Sequence, residues 1–389
     1  MKNKKTKITI GIVLSVCLAI GISGYITSVH LLRERATIDG YKWQINLTDK
    51  YKIIGFTNTT EKLILIKSLD NVYSLMDYNG NKVQTLWGEY GGIGSDMICN
   101  ISTDGEKSGY VGVNSSQVIP PKYDYVNAFI GKYAVVENLG VCTVIDKQQN
   151  TIYQGTEGNE IVQIDENKIL VKEKSNNKII SIPSKEVLLE STEYTDIRPD
   201  GIGGYIAGLG ESQNSLSPNL SVYLDKNFQP KFGGQLYSNS NSFNEGVASV
   251  TTIEGMTIGD KIGTNYKEKH GVIDKKGKMI LSGEYFRYGY ESFSQGLCIV
   301  RMNKGFIGLN KAGETVFEIP ASKKTDGIST YNEYFVDGFA PLNLEKYKYG
   351  YIDMTGKIVI EPLFDSASIV KDGMAVVSYR GQDGVIKLK

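Results

Sequence analysis

Histidine, the side chain that most often serves as a general base, occurs only twice in this chain of 389 residues, as His30 and His270. His30 lies at the end of an apolar run near the N-terminus, so a Ser-His-Asp or Cys-His mechanism would depend on His270 alone. No Gly-x-Ser-x-Gly motif accompanies it. We therefore predict no catalytic residues and do not expect the protein to be an enzyme.

The four cysteines form no pattern that would indicate a metal site. Cys17 lies in the N-terminal apolar run, and Cys99, Cys142 and Cys298 are widely separated in the body of the chain. Zinc sites and disulfide frameworks need clustered or regularly spaced cysteines, so we predict no metal and no cofactor. Cys142 and Cys298 lie in strand-like runs and are expected to be buried, although one disulfide stays open as an alternative outside the cell.

Glycines, acids and tyrosines offer three further kinds of chemistry. Residues 91–94 and 201–204 are glycine-rich, but neither stretch has the lysine of a P-loop or the spacing of a Rossmann motif, so we expect loops that connect strands. Any two of the 43 acidic residues could form the carboxylate pair of a glycosidase, and the sequence singles out none. Tyr285, Tyr288 and Tyr290 could stack on sugars, but packing between strands is the simpler expectation.

The composition favours an ordered β-protein. Basic and acidic residues number 43 each, so the net charge is zero, whereas a nucleic-acid-binding surface is basic. The chain contains 43 glycines and 25 tyrosines, and 41% of its residues are hydrophobic. Glycine is typical of tight turns and tyrosine of strands. We therefore expect neither a nucleic-acid partner nor a disordered chain.

The N-terminus predicts a membrane anchor. Residues 1–7 include four lysines, and residues 8–32 form an uncharged, mostly apolar run. This run is long enough to span a membrane and longer than the core of a signal peptide. The lysines that precede it place residues 1–7 in the cytoplasm. We predict a single-pass signal-anchor helix over 8–32, a linker over 33–42 and an exported domain over 43–389; a cleaved signal peptide, the alternative, also leads to export.

The elements that must position any site follow a repeat, which is clearest at residues 348–365 and 373–379. It contains an aromatic-glycine step, a short strand that ends in Asp, a glycine three residues later, a second strand with proline, an aromatic-aspartate step and a closing Gly-x-Ala-x-Val strand. Other copies lie around residues 72–83, 109–126, 144–146, 178–182, 223–248, 271–297, 305–340 and 384–386. Their turn positions are about 32 to 49 residues apart, a period typical of solenoids and propellers.

The Asp-x-x-Gly segments are predicted to be turns. The aspartate side chain can accept backbone N–H groups within the turn, and the glycine can take the positive φ that closes a short hairpin. A calcium loop would need several oxygen ligands at alternate positions, which no copy has. We therefore assign these acids a structural role.

The whole pattern resembles the WG (also called KWG) repeat family of bacterial proteins. The resemblance covers residues 270–389 well, 72–125 and 220–250 moderately, and 141–200 poorly. The tryptophan before the glycine is replaced by Tyr349, Lys304 and His270 in three copies. The resemblance implies an all-β repeat architecture and no catalytic activity, and it supplies no ligand.

We predict an all-β, β-propeller-like domain with about seven or eight short blades, and an open β-solenoid is the alternative. Units of about 40 residues suit blades of three or four strands. The chain also ends within a repeat, at Leu388, which suits a ring whose first and last strands share a blade. A solenoid would need distinct polar caps at its ends.

Binding is expected on loops, where long insertions on a rigid scaffold often act. Residues 251–269 and 208–220 stand out by their length, and we expect the former to be an exposed flexible loop because of its glycines and lysines. The sequence predicts a membrane-anchored binding or scaffolding protein whose partner is another protein or a cell-envelope polymer. The alternative is an envelope enzyme that acts on carbohydrate through paired carboxylates.

Overall fold

The computed structural model describes residues 38, 40–57, 61–86, 88–94, 97–101, 105–113, 118–174, 176–210, 220–260, 266–283, 292–302, 305–320, 333–345 and 348–388. The predicted basic tail and signal-anchor helix, residues 1–32, lie outside these ranges. Within them, no helix combines the length and the hydropathy that a membrane span requires.

Nearly all regular structure in the described residues is β, as predicted, with 33 strands and one short 3-10 turn at Phe232–Gly234. In chain order the strands are β1 (Trp43–Thr48), β2 (Tyr51–Phe56), β3 (Leu63–Ser68), β4 (Tyr73–Asp77), β5 (Lys82–Thr85), β6 (Glu89–Gly94), β7 (Met97–Ile101), β8 (Ser108–Gly112), β9 (Val118–Tyr123), β10 (Tyr125–Val126), β11 (Tyr133–Asn138), β12 (Val141–Asp146), β13 (Thr151–Gln154), β14 (Glu160–Asp165), β15 (Lys168–Lys172), β16 (Asn177–Ser181), β17 (Val187–Ser191), β18 (Tyr194–Pro199), β19 (Tyr205–Leu209), β20 (Ser221–Leu224), β21 (Gln235–Ser240), β22 (Val247–Thr257), β23 (Glu268–Asp274), β24 (Met279–Ser282), β25 (Leu297–Met302), β26 (Gly305–Asn310), β27 (Thr315–Pro320), β28 (Phe339–Glu345), β29 (Lys348–Asp353), β30 (Ile358–Phe364), β31 (Ser366–Ala367), β32 (Met374–Tyr379) and β33 (Gln382–Lys387).

The strands form eight antiparallel sheets; seven are simple meanders in chain order, and in the eighth β1 lies beside β33 at the edge of the β31–β33 meander. The seven-stranded sheet β18–β24 contains two such meanders, which the Ser221–Tyr237 pair joins. Dividing that sheet gives nine repeat units. They are unit 1 (β2–β5), unit 2 (β6–β9), unit 3 (β10–β13), unit 4 (β14–β17), unit 5 (β18–β20), unit 6 (β21–β24), unit 7 (β25–β27), unit 8 (β28–β30) and unit 9 (β31–β33 with β1).

The core of the described chain lies between the units. Its buried apolar side chains form nine clusters, and each cluster joins two consecutive units or the two meanders of the seven-stranded sheet. Leu75 of unit 1 packs with Val111 of unit 2, for example. Ile64 of unit 1 packs in the same way with Val385 of unit 9. The succession of cores therefore returns to the unit where it began.

Strand β1 completes the last unit. It pairs antiparallel with β33, with Trp43 opposite Ile386, as expected if the first and last strands share a sheet. The predicted linker 33–42 is partly included in the fold, because Ile38 is buried in the core between units 8 and 9. Trp43 Nε1 donates a hydrogen bond to Ile38 O over 3.1 Å, so the ordered domain begins earlier than residue 43.

The predicted turns follow the third strand of most units. Asp353 Oδ1 accepts the backbone N–H groups of Thr355 and Lys357, at 2.9 and 3.1 Å, and Gly356 has a φ of 81°. Equivalent bonds form at Asp77, Asp146, Asp225, Asp274 and Asn310. The turn even forms without glycine: Gln149 and Phe228 take positive φ values of 69° and 62°.

The glycine of the aromatic-glycine step serves a different purpose. A Cβ at Gly350 would lie 2.4 Å from the backbone oxygen of Ile360 on the next strand, and one at Gly109 would lie 2.2 Å from that of Ile119. The pairing shifts register at both places. Glycine is therefore needed because the fourth strand bulges against the third.

Candidate functional site

The alternating strands give each unit two different ends. We call the end with the first-to-second and third-to-fourth strand turns the turn end; it includes residues 244–246, 294–296, 336–338 and 371–373. The connection end holds the second-to-third strand connections and those between units; it includes residues 139–140, 301–302, 333, 343 and 380–381. Hydrogen bonds between neighbouring units join the turn end of one unit to the turn end of the next, and the connection end to the connection end. Each end therefore forms a continuous surface in this region.

At the turn end, two-residue turns of units 6 to 9 are tied to one another. Each turn consists of a residue with a φ of 49–54° followed by a glycine. The side chain of the first residue accepts a backbone N–H from the next turn. These bonds are Gly296 N to Glu245 Oε2 (2.9 Å), Gly338 N to Gln295 Oε1 (2.8 Å) and Gly373 N to Asp337 Oδ2 (2.9 Å).

The electrostatics of Glu245 show that these ties are favourable. Its partial burial alone would raise the pKa of the carboxyl group, but the N–H groups of Gly296 and Gln295 and the Lys311 ammonium outweigh that effect and lower the pKa. The carboxylate is therefore stabilised in its ionised form. Acids at the turn end hold the array together.

Buried tyrosines connect the units in a second way. Tyr110, Tyr223 and Tyr351 are each fully buried in the third strand of a unit. Their hydroxyl groups donate to the backbone oxygen of the residue that directly follows the first strand of the next unit. The bonds are Tyr110 Oη to Asn127 O (2.7 Å), Tyr223 Oη to Asn241 O (2.6 Å) and Tyr351 Oη to Ser368 O (2.8 Å).

The boundary between units 7 and 8 departs from this arrangement. Gly308 stands where units 2, 5 and 8 have tyrosine, since it pairs with Phe317 as Tyr351 pairs with Ile360, so the hydroxyl group is missing. Glu333 stands where they have Asn127, Asn241 or Ser368, four residues before the turn. Arg301 of β25 pairs with Glu333, with 3.2 Å between Nη2 and Oε1, and its guanidinium carbon lies 5.1 Å from the centre of the Phe306 ring. A charged pair has replaced a neutral hydrogen bond.

This pair is poorly solvated. The side chains of Arg301 and Glu333 are only 20% and 10% exposed. Burial raises the pKa of Glu333 to about 7, and the attraction of Arg301 and the backbone N–H of Asn343 offset the effect only in part. Taking two charges out of water can cost more than their attraction returns, so the pair is not explained by stability.

Asn343 completes the group, which we call the charged cluster (Arg301, Glu333 and Asn343). Asn343 is 2% exposed, and its side-chain Oδ1 has no hydrogen-bond partner among the described residues. A buried acceptor without a donor costs about 1–3 kcal/mol. A buried acceptor without a described donor, beside a poorly solvated ion pair, makes the charged cluster the candidate functional site.

The charged cluster was not identified in the sequence. Arg301 and Glu333 are far apart in the chain, and neither belongs to a known motif. A signal was present nonetheless: Gly308 lies two residues before the turn residue Asn310, where Tyr223 and Tyr351 precede their turn aspartates. Comparison of equivalent positions between copies would have drawn attention to this boundary.

His270, the one histidine in the body of the chain, has a structural environment. It is buried, and its Nδ1 lies 3.0 Å from the hydroxyl oxygen of Thr251 on the adjacent strand. We assign His270 to the packing of unit 6.

The expectation that 251–269 is an exposed flexible loop is wrong for much of the segment. Residues Val247–Thr257 form one long strand that pairs with Glu268–Asp274, and Ile253 is fully buried. The glycines and lysines suggested a loop, but pairing of Thr252 with Lys269 and of Ile253 with Glu268 extends the hairpin. Residues 261–265 lie outside the described residues.

The other sequence candidates divide between strands, turns and residues that are not described. Residues 91–94, expected to be a loop, belong to strand β6, whereas 201–204 form the predicted connection between β18 and β19. In the 208–220 segment, strand β19 extends to Leu209, and residues 211–219 lie outside the described ranges. Tyr285, Tyr288 and Tyr290 also lie outside them.

Cysteines and acids show no metal-binding arrangement in the described part of the chain. No group of three or more His, Cys, Asp or Glu side chains there could hold a metal ion. Cys142 and Cys298 are buried thiols, as predicted. Glu333, a described acid whose pKa is raised, contacts an arginine.

Comparison with known families confirms the repeat. The model of the family described as WG containing repeat matches residues 109–142, 271–306 and 349–382. Each match begins in or beside the third strand of one unit and ends in the third strand of the next. The chain therefore carries WG repeats, and each sequence repeat spans parts of two sheets.

Similar proteins are found among solved structures but not among curated sequences, where none matches. The crystal structure of a eukaryotic initiation factor is 11% identical, with 80% of this chain and 89% of that one covered and a TM-score of 0.50. BamB from Moraxella catarrhalis is 10% identical, with 88% and 99% covered and a TM-score of 0.42. At these identities, the likeness to the initiation factor concerns the fold alone.

Proposed function

We propose that this chain of WG repeats is a membrane-anchored, exported binding or scaffolding module without catalytic activity of its own. Its partner would be another protein or a cell-envelope polymer. The observation that carries the proposal is the contrast between apolar cores that join all nine units and the boundary between units 7 and 8, which also carries a poorly solvated ion pair and an amide oxygen without a described donor.

The architecture that we propose is a closed β-propeller in which the nine units surround an axis. Three observations support it: the units are antiparallel meanders, their cores succeed one another back to the first unit, and β1 completes the sheet of unit 9. Closure removes the open ends that an array of repeats would otherwise have to cap. A rigid ring can then present connections at one end for binding.

We propose the cellular location from the sequence of residues 1–32, which gives a cytoplasmic basic tail and one membrane crossing. Protease added to intact cells should digest the body of the protein while leaving the N-terminal residues protected. Complete protection of the body would contradict export. Recovery of the chain in the soluble fraction would contradict anchoring.

The binding role is tested by capture from crosslinked cell envelope with the tagged full-length chain. We expect one partner or polymer to be enriched over a chain that carries Asn343→Leu, since the charged cluster is the candidate site. Equal recovery of the partner with both chains would show that it binds elsewhere on the ring. Failure to enrich anything above an untagged control would contradict the binding role.

A further inference from the structure

We propose that units 2 and 3 carry a second interaction surface, which binds a protein segment that presents an apolar side chain next to a basic one. Two exposed side chains at the connection end form this surface, Tyr125 and Leu139, and we call them the apolar patch. The inference rests on the proposed binding role but not on the charged cluster, and it adds the chemistry of a protein partner.

A hydrogen-bonded framework that occurs twice in the chain holds the patch. At the boundary of units 2 and 3, Asp124 pairs with Lys107, and its Oδ2 accepts the backbone N–H of Leu139 over 2.6 Å. The corresponding groups at the boundary of units 8 and 9 are Asp365, Lys348 and the backbone N–H of Arg380. The two turn residues also match, because Leu139 and Arg380 have φ values of 51° and 50° and each precedes a glycine. The two sites therefore share a backbone and differ in their side chains.

The side chains at the first site are apolar and exposed. Leu139 is 81% exposed, the highest value among the large apolar side chains of the described residues, and Tyr125 is 59% exposed. Tyr125 lies opposite Glu137 in the paired strands, and Leu139 follows Glu137 by two residues. Side chains in this diagonal relation are within reach of each other. Adjacent apolar side chains in contact with water are typical of an interaction site.

The fold does not require these apolar side chains. The equivalent positions at the boundary of units 8 and 9 hold Ser366, Ser378 and Arg380. Ser366 pairs with Ser378 there, in the register of Tyr125 and its partner. The same backbone therefore forms with polar residues at all three positions. This leaves contact with a partner as the reason for the apolar pair.

Carboxylates flank the apolar patch. Glu137 lies opposite the tyrosine, and Glu157 lies beside the turn, where its Cγ is 3.8 Å from the position that a Cβ on Gly140 would take. The charge acts on a neighbouring thiol: burial raises the pKa of Cys142, and the negative charges of Glu137 and Glu160 add to that rise. The surroundings of the patch are therefore negative.

The nearby cations leave two of these acids without a counter-charge. Three lysines of this region are bound to other groups, which are Asp124 for Lys107, Glu160 for Lys172 and Gln149 Oε1 for Lys122. None of these bonds neutralises Glu137 or Glu157. A complementary partner therefore carries an apolar side chain next to Lys or Arg, so that opposite charges meet across the interface.

Other occupants fit the patch less well. An anionic membrane surface would be repelled by both carboxylates, and a second copy of the patch would bring like charges together. A polysaccharide offers hydroxyl groups, with which the leucine side chain cannot form a hydrogen bond. These three occupants are outcomes that the test separates.

The test uses the full-length chain in the cells that produce it, with photoreactive p-benzoylphenylalanine in place of Tyr125. The matched control carries the same group in place of Ser366, which has the same framework but polar neighbours. After irradiation, we expect position 125 to give a protein adduct in about tenfold higher yield than position 366. Mass spectrometry should locate the crosslink next to an apolar residue and a Lys or Arg of the partner.

Glu137→Ser/Leu139→Arg is the decisive variant, because it gives the patch two side chains of the equivalent site and keeps the framework. Added to the chain with the photoreactive group at position 125, it should lower the adduct yield about tenfold, while the melting temperature stays the same. Leu139→Asn is a second variant, since asparagine accepts a positive φ but removes the apolar group. Its adduct yield should fall severalfold.

The inference is overturned if position 125 gives no protein adduct, if positions 125 and 366 give equal yields, or if the variants crosslink as well as the parent chain. An adduct of a phospholipid, of a second copy or of an acidic protein segment would also overturn it. A glycan adduct at position 125 would overturn the protein partner at this patch and leave the proposed binding role intact.

Discussion

Two partly buried acids of the repeat array, Glu245 at the turn end and Glu333 at the connection end, lie in opposite environments. At the turn end, Glu245 accepts backbone N–H groups from the next turn, and its pKa is lowered. At the connection end, Glu333 lies in a site that raises its pKa to about 7. The same kind of side chain therefore stabilises the fold at one end and costs stability at the other. The repeat can thus supply enough hydrogen-bond donors to stabilise an ionised acid, as at Glu245, whereas at Glu333 the donors do not offset the effect of burial.

The largest loss is expected from breaking a turn at the turn end. Gly356→Val would place a side chain at a φ of 81° and a Cβ 2.6 Å from Cγ of Phe317 on the neighbouring unit. Left-handed backbone costs about 1–2 kcal/mol for a non-glycine residue, and overpacking adds about 1–3 kcal/mol. Urea unfolding should show a combined loss of about 2–5 kcal/mol.

Gly338→Ala separates the two causes of that loss. Gly338 has a φ of 87°, but a Cβ there would meet no atom within 4 Å. Its cost should therefore be confined to the backbone conformation, about 1–2 kcal/mol. Equal losses for the two variants would show that Phe317 moves aside and that the neighbouring unit is not packed against the turn.

The pH dependence of stability should expose the opposite behaviour of the connection end. The unfolded pKa of Glu333 is 4.5 and the folded pKa is about 7, so the folded chain binds more protons between those values. Stability must then fall as pH rises through this window. Between pH 5 and pH 8 the loss from this residue is on the order of 2–3 kcal/mol.

Glu333→Gln isolates that contribution, because glutamine does not titrate. From pH 5 to pH 8, the unfolding free energy of the parent should fall by that amount relative to the unfolding free energy of the variant. The difference between the two chains at pH 5 does not affect this expectation. A difference that stays constant with pH would mean that Glu333 is ionised at an ordinary pKa and that the cluster is well solvated.

A smaller effect is expected at the boundaries that keep the tyrosine. Tyr351→Phe removes the bond to Ser368 O, 2.8 Å long, in a partly buried site, which should cost about 1–2 kcal/mol in thermal or urea unfolding. Tyr110→Phe should cost the same amount at the boundary of units 2 and 3. Clearly unequal losses would show that the tyrosine bonds are not equivalent structural devices.

The smallest effect tests the role of His270. His270→Tyr removes the contact between Nδ1 and Thr251 Oγ1, while the matching repeat has Tyr349 at this position. We expect a loss of about 0.5–1.5 kcal/mol, the net contribution of one hydrogen bond, in a thermal melt. A loss several times larger would give this histidine a role beyond packing.

The elements that the sequence could predict are those governed by local chemistry. Asp353 and Gly356 form the expected turn because both requirements, an acceptor and a positive φ, lie within a few residues. The segment 251–269 was misread because its glycines resemble a loop, whereas pairing with β23 and burial of Ile253 decide its structure. The charged cluster was missed because its members come from three strands or connections, and only the fold brings Arg301 to Glu333.

The central claim, that the charged cluster does not serve stability, is tested most directly by replacing both charges at once. In Arg301→Met/Glu333→Leu the pair is exchanged for apolar side chains, which is often neutral or stabilising when an ion pair is buried. Urea unfolding at pH 8 should give an unfolding free energy within about 1 kcal/mol of the parent chain, or above it. A loss of about 3 kcal/mol or more would contradict the account, because it would show that the pair holds units 7 and 8 together.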